Sequence, residues 1–189
     1  CSSDLLADSE GLINDLTGKG FQLVNENAGE ETVVLNTCSF IQSAVDETEK
    51  NIQDLIQKKQ ANQIKYLVVV GCYPSRFKKT DLTQKFPEVD LWLKTNEENQ
   101  LKEALTALVF QDKYQPSKPV KYTRLTPNHY AYLKISEGCN NWCSFCTIPK
   151  IRGQHVSKPL ETIIKEAQMH ISQGAKELLL IAEIGRAHV

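Results

Sequence analysis

Several absences narrow the field before any motif is considered. The longest apolar runs, Tyr66–Val70 and Leu178–Ala182, fall far short of the roughly 20 residues a helix needs to cross a bilayer. The opening residues show no secretory signal pattern. Charge of one sign is not in excess: 22 Lys and Arg face 23 Asp and Glu, for a net charge of −1. No bulk field therefore draws nucleic acid or anionic lipid. There is no low-complexity tract and no internal repeat, and 189 residues suffice for one large or two small domains with buried cores.

Cysteine is also scarce, at six residues, and its placement carries the information. A framework of three disulfides belongs to small secreted scaffolds. This chain is longer and shows α/β patterning, so we take its cysteines as reduced and its location as cytoplasmic. For Cys72 alone, after the run "YLVVV", the simplest role is that of a small buried hydrophobe. That explanation does not extend to Cys139, Cys143 and Cys146, three cysteines within eight residues.

Along the chain, helical and strand periodicities alternate through the first 110 residues. Leu5, Leu6, Leu12, Ile13 and Leu16 predict an amphipathic helix stopped near Gly18 and Gly20. "FQLV" (21–24) and "TVVLN" (32–36) read as strands. Ile41, Ala44, Val45, Ile52, Leu55 and Ile56 share one face of a long helix. "YLVVVG" (66–71) has the continuous apolar character of a buried parallel strand. A helix around Phe77–Phe86, a strand near "DLWLK" and a helix over 97–110 complete an α/β pattern with a parallel sheet.

Residues 112–128, polar and proline-containing, predict a linker with a short strand at "VKYTR". A second β/α unit begins at "YAYLKIS" (130–136) and passes through the cysteine loop. It continues into a helix with Leu160, Ile163, Ile164, Ala167 and Ile171 on its inner face. Ser157 is its expected cap, Pro159 lies in the first turn, and Gly174 is the stop. "ELLLIA" (177–182) is the next strand. One such unit cannot close a barrel. The first residue is cysteine and not methionine, so translation is expected to start upstream. Residues 184–189 ("IGRAHV") read as a non-native tail. The expected division is 1–111, the linker 112–128, a second domain 129–183, and the tail.

Cys139, Cys143 and Cys146 make a CxxxCxxC loop directly after a predicted strand. Three thiolates suit three irons of a 4Fe-4S cubane and leave the fourth iron open to a small molecule. The alternative is zinc with His129 or His155 as fourth ligand, although structural zinc usually takes paired Cys-x-x-Cys knuckles and only one pair is present. A non-catalytic zinc or iron–sulfur module therefore stays open on spacing alone.

This loop, with Phe145 before its last cysteine, resembles the signature of radical S-adenosylmethionine enzymes. The resemblance implies that S-adenosylmethionine chelates the open iron and is cleaved by the reduced cluster to a 5′-deoxyadenosyl radical. It also makes Cys139, Cys143, Cys146 and Phe145 the cofactor-binding residues. Cys1, Cys38 and Cys72, with "DSE" at 8–10, "VVLNTCSF" and "VVVGCYPSRF", resemble the amino-terminal domain of the methylthiotransferases. There three cysteines hold a second 4Fe-4S cluster that carries the sulfur to be delivered. Asp8 lies one residue further from Cys1 than in the family pattern, and Ser3 and Asp4 replace a lysine–asparagine pair.

The family implies a flavodoxin- or Rossmann-like parallel-sheet domain followed by the start of a partial (β/α) radical S-adenosylmethionine barrel. "NTCSFIQSA", "TPNHYAYLKISEGC" and "CTIPKIRG" resemble the ribosomal-protein branch more than the tRNA branch. The implied reaction is methylthiolation of an aspartate β-carbon in small-subunit protein twelve. The partners are that protein, a sulfur donor and an electron donor, with no membrane. The alternative substrate is an adenosine in tRNA. Because the rest of the barrel would supply most S-adenosylmethionine contacts, the chain alone is expected to bind clusters without turning over.

Other polar residues carry blander expectations. Asp8, Ser9 and Glu10 are expected to cap or stabilise the first helix. His170 falls beside an apolar stripe and is expected to pack. His129 and His155 show no paired metal spacing. Lys150, Arg152 and Gly153 form either a turn near the cofactor or a solvated connection. Trp142 is either a shield for the iron or a surface aromatic. Asp46, Glu47 and Glu49 make no convincing acid–base pair.

Overall fold

A computed structural model of the chain describes residues 2–18, 20–24, 31–109 and 123–184. The chain divides into two compact units, residues 12–121 and residues 1–11 with 122–189. The boundary falls inside the first helix, α1 (Ser2–Gly18).

In the unit formed by residues 12–121, three strands lie side by side in the order β1 (Thr32–Thr37), β2 (Tyr66–Gly71), β3 (Leu91–Lys94), all parallel. Helix α2 (Gln42–Gln60) joins β1 to β2. The short α3 (Cys72–Arg76) and α4 (Lys79–Lys85) lead to β3, and a 3-10 turn precedes α5 (Leu101–Val109). The continuous apolar sequence of β2 follows from its central place. The pleat sends Leu67 and Val69 into a core with Val45, Ile52 and Ile56 of α2, Leu82 of α4, and Trp92. It sends Val68 and Val70 into a second core with Leu12, Leu16, Leu101 and Leu105. Each fully buried side chain among these contributes roughly 1.5–3 kcal/mol, the half-buried Leu12 and Leu16 less, and both faces of β2 are covered.

The expected strand at Phe21–Val24 does not form. Phe21 packs against the second core while Leu23 and Val24 are exposed, so the segment buries one ring and gains no ladder. The helix expected around Phe77–Phe86 is α4, and the short α3 before it was not expected. Tyr73 and Trp92 stack with Phe77 and Phe86 around the break.

In the unit formed by residues 1–11 and 122–189, β4 (Tyr130–Lys134) pairs in parallel with β7 (Glu177–Ile181), from Tyr130↔Glu177 to Lys134↔Ile181. Helix α7 (Leu160–Ser172) makes the crossover, giving a βαβ unit and, among the described residues, no closed barrel. Between β4 and α7, the two-residue strands β5 (Ser136–Glu137) and β6 (Val156–Ser157) pair antiparallel. This short ladder pinches together the ends of the cysteine loop, which contains α6 (Ile148–Arg152).

The expected inner face of α7 is only partly realised. Leu160, Ile164 and Ile171 are exposed, and the cap is Pro159 with no side-chain hydrogen bond, because Ser157 is engaged in β6. Gly174 (φ 93°) does end the helix, donating to Ile171 O at 2.9 Å. The linker over 112–122, with most of "VKYTR", and the tail over 185–189 lie outside the described residues. No described helix is long and apolar enough to cross a membrane.

Candidate functional site

The cysteine loop leaves β5 through Gly138, whose φ is 71°. A β-carbon there would sit 2.3 Å from Gln154 O and 2.7 Å from Gly153 O. Only glycine tolerates both the left-handed backbone and that approach. Cys139 N–H then donates to Gly153 O at 3.2 Å, and His155 N–H donates to Asn140 Oδ1 at 2.9 Å, so the loop is laced across its base. Cys146 N–H donates to Cys143 O at 2.9 Å in a tight turn.

These constraints bring Cys139, Cys143 and Cys146 into the wall of one pocket, with Asn141, Trp142 and Glu183. Ile148 and Pro149 line its apolar side. Cys139 is buried and the other two are half-buried. Asn141 N–H approaches Cys139 Sγ at 3.5 Å, a donor aimed at sulfur. Trp142 holds a left-handed backbone (φ 45°), a conformation that strains a bulky residue by about 1–2 kcal/mol. Trp142 is 62% exposed and Phe145 73%.

Beneath the loop lies a buried ionic frame. Asp8 of α1 accepts from Lys134 Nζ and from Arg152 Nη2, each at 2.7 Å. Glu137 pairs with the same two cations, at 2.7 Å for Arg152 and more closely for Lys134. Glu183 accepts the Gly138 N–H at 2.9 Å and stands 3.5 Å from Lys134 Nζ. Burial by itself would lower the pKa of Lys134, but Asp8, Glu137 and Glu183 outweigh burial and the Arg152 repulsion and hold it above the usual lysine range. Burial pushes the Glu183 carboxyl up against the pull of Lys134.

Arg152 is thus no solvated connection: its side chain is 4% exposed. Asp8 and Glu10 do more than stabilise their helix, since Glu10 Oε1 accepts the Leu125 and Thr126 N–H groups at 2.6 and 3.1 Å. Only Ser9 behaves as a local helix residue, donating to Leu5 O at 2.7 Å. His170 is buried, as its place beside the apolar stripe implied. Lys134, Glu137 and Glu183 escaped the sequence reading. The one local signal was the i, i+3 opposition of Lys134 and Glu137.

The other cysteines sit at the end of the three-stranded sheet. Register pairs Thr37 with Gly71, the residues immediately before Cys38 and Cys72, so the two cysteines leave adjacent strands at the same carboxyl edge. Gly71 (φ 99°) permits this closeness, because a β-carbon would lie 2.6 Å from Asn36 Oδ1 and 2.8 Å from Thr37 O. Thr37 Oγ1 donates to Val70 O at 2.7 Å and accepts from Tyr73 N–H at 3.2 Å. Arg76 Nη1 donates to Ser39 O. The Ser39 hydroxyl, fully buried next to Cys38, has no hydrogen-bond partner among the described residues. Cys1 lies outside the described residues, so the third member of this set has no described place.

The five described cysteines are free thiols. No group of three or more His, Cys, Asp or Glu among the described residues converges tightly enough for a single metal ion. A cubane gives each thiolate its own iron, so its ligands need to surround a pocket and not to meet at a point. The triplet lining one pocket, with a backbone donor on Cys139 sulfur, fits such a group. The orphaned Ser39 hydroxyl beside Cys38 fits an acceptor absent from the protein itself.

Fold and site together define a two-unit α/β protein with Cys38 and Cys72 at the carboxyl ends of parallel strands and a cysteine triplet in a loop pinched by a short antiparallel ladder. Residues 1–94 match the family described as uncharacterized protein family UPF0004. The chain is 39% identical over 97% of its length to the ribosomal protein uS12 methylthiotransferase RimO of Chlorobium chlorochromatii, covering 40% of that protein. It is 39% identical to the protein of the same name from Cytophaga hutchinsonii, with 97% of the chain and 41% of the relative covered. Against that from Lachnoclostridium phytofermentans the figures are 34%, 94% and 42%. The chain is thus similar along nearly all of its own length to proteins named as RimO methylthiotransferases, and spans about two fifths of the length of these curated relatives.

Proposed function

We propose that this chain is part of a radical S-adenosylmethionine methylthiotransferase that modifies an aspartate of ribosomal protein uS12. Cys139, Cys143 and Cys146 would hold one 4Fe-4S cluster, and Cys1, Cys38 and Cys72 a second. When bound, an incompletely capped cluster supplies a one-electron donor beside an open coordination position. The observation that carries this reading is the triplet's shared pocket, in a chain 39% identical along 97% of its length to uS12 methylthiotransferases.

The chain's own residues do the holding. Gly138 and the β5–β6 ladder fix the loop's two ends. Asn141 N–H stabilises charge on Cys139 sulfur. Ile148 and Pro149 would keep water from one side of the pocket, which Trp142 also lines, and the exposed Trp142 and Phe145 would be open to a bound S-adenosylmethionine. At the other set, the Ser39 hydroxyl adjoins Cys38 in sequence and Arg76, four residues after Cys72, donates to Ser39 O, and both favour bound negative charge.

Anaerobic reconstitution followed by metal and sulfide analysis tests the assignment. About eight irons with matching labile sulfide are expected per chain, four for each cubane. Stoichiometric zinc without sulfide rejects it.

A further inference from the structure

Asp8 belongs to a stretch that the proposed chemistry does not use, yet its carboxylate lies in the buried frame under the cysteine loop. One oxygen takes Lys134 Nζ at 2.7 Å and the other takes Arg152 Nη2 at 2.7 Å. Those cations stand on either side of the loop, Lys134 at the end of β4 and Arg152 at the end of α6. Asp8 therefore ties the strand that enters the loop to the helix that leaves it, from a third element more than 120 residues away in sequence. Glu137 repeats the bridge from within the loop's own base. The side chains of Asp8 and Lys134 are each 10% exposed, so the pairs are poorly screened, and losing Asp8 leaves both buried cations to the more exposed Glu137, with Glu183 beside Lys134 only.

We propose that Asp8 is a positioning residue for the Cys139–Cys146 loop, clamping Lys134 to Arg152 so that the three thiolates keep the spacing that holds a cluster. The clamp rests on the reading of that triplet as cluster ligands. It also sets the charge near the site: Asp8, Glu137 and Glu183 face the two cations, so deleting the Asp8 charge makes the field beneath the loop more positive. A positive field favours the more negative, reduced form of a bound cluster.

The test uses the full chain with Cys38→Ala and Cys72→Ala, so that signals come from the triplet alone. After anaerobic reconstitution, this parent is expected to hold about four irons. Asp8→Asn should release iron to a chelator about tenfold faster, the scale for losing an outer-shell partner of a metal ligand. Its midpoint potential, followed by electron paramagnetic resonance, should move upward. Asp8→Glu should recover both properties. Asp8→Asn/Arg152→Gln removes one charge of each sign, so its potential should stay near the parent value while its iron is still released faster. That pair decides the matter if Asp8→Asn does not fold. Parent-like iron retention in Asp8→Asn, or in the pair where Asp8→Asn does not fold, overturns the clamp and leaves the cluster assignment standing. A parent that takes up no iron overturns the assignment instead.

Discussion

His170 shows how a single buried side chain sets a condition on the whole fold. Burial holds its pKa below the usual histidine range; Glu10 opposes that shift and Arg124 reinforces it. The folded chain therefore favours the neutral ring, whereas the unfolded chain protonates near its ordinary value of about 6.5. Below that pH the unfolded state binds more protons, so the contribution from His170 is present above about 6.5 and is lost as pH falls toward the lowered folded value. The melting temperature should drop between pH 7 and pH 5.5 more steeply in the parent than in His170→Gln, as followed by circular dichroism. Parallel curves would show that another group sets the slope. The role of this histidine was legible because it falls beside the apolar positions of α7. The role of Asp8 was not, because nothing local to α1 reveals two cations supplied by residues 134 and 152.

At the scale of elements, the two glycines that bracket the cysteine loop make a controlled comparison. Both have positive φ, 71° for Gly138 and 81° for Gly153, so alanine at either should cost about 1–2 kcal/mol of backbone strain. They differ in space. At Gly138 the new carbon would meet two backbone oxygens under 3 Å away, whereas at Gly153 nothing lies within 4 Å. Gly138→Ala should therefore destabilise the chain more in urea denaturation and abolish iron uptake by the triplet. Gly153→Ala should lose only the strain energy and retain iron. Equal losses would mean that backbone conformation alone governs the loop.

Elements also show where periodicity fails. The apolar positions of α7 predicted its existence and its stop at Gly174, but not which of them would be covered. Leu160 is 70% exposed, since periodicity marks a face and only a packed neighbour buries it. The β5–β6 ladder was invisible for a related reason: two-residue strands are too short to carry a period.

For the whole molecule, the two cysteine sets make separable claims. Cys143→Ala should remove about four of eight irons, Cys38→Ala/Cys72→Ala about four, and all three substitutions together nearly all. Loss of every iron from Cys143→Ala alone would mean that the sets do not load independently. Iron and sulfide assays on the three proteins are sufficient.

The sequence by itself determined the alternation of strands and helices, the burial of β2 and the grouping of cysteines. Each of these is written in near neighbours, through apolar period, glycine placement and spacing. Tertiary structure alone decided that Thr37 and Gly71 stand in register, placing Cys38 beside Cys72, and that Asp8 meets Lys134 and Arg152. Register and buried ion pairing depend on packing between segments distant along the chain, where Coulomb attraction and desolvation act through space and leave no periodic trace in the order of residues.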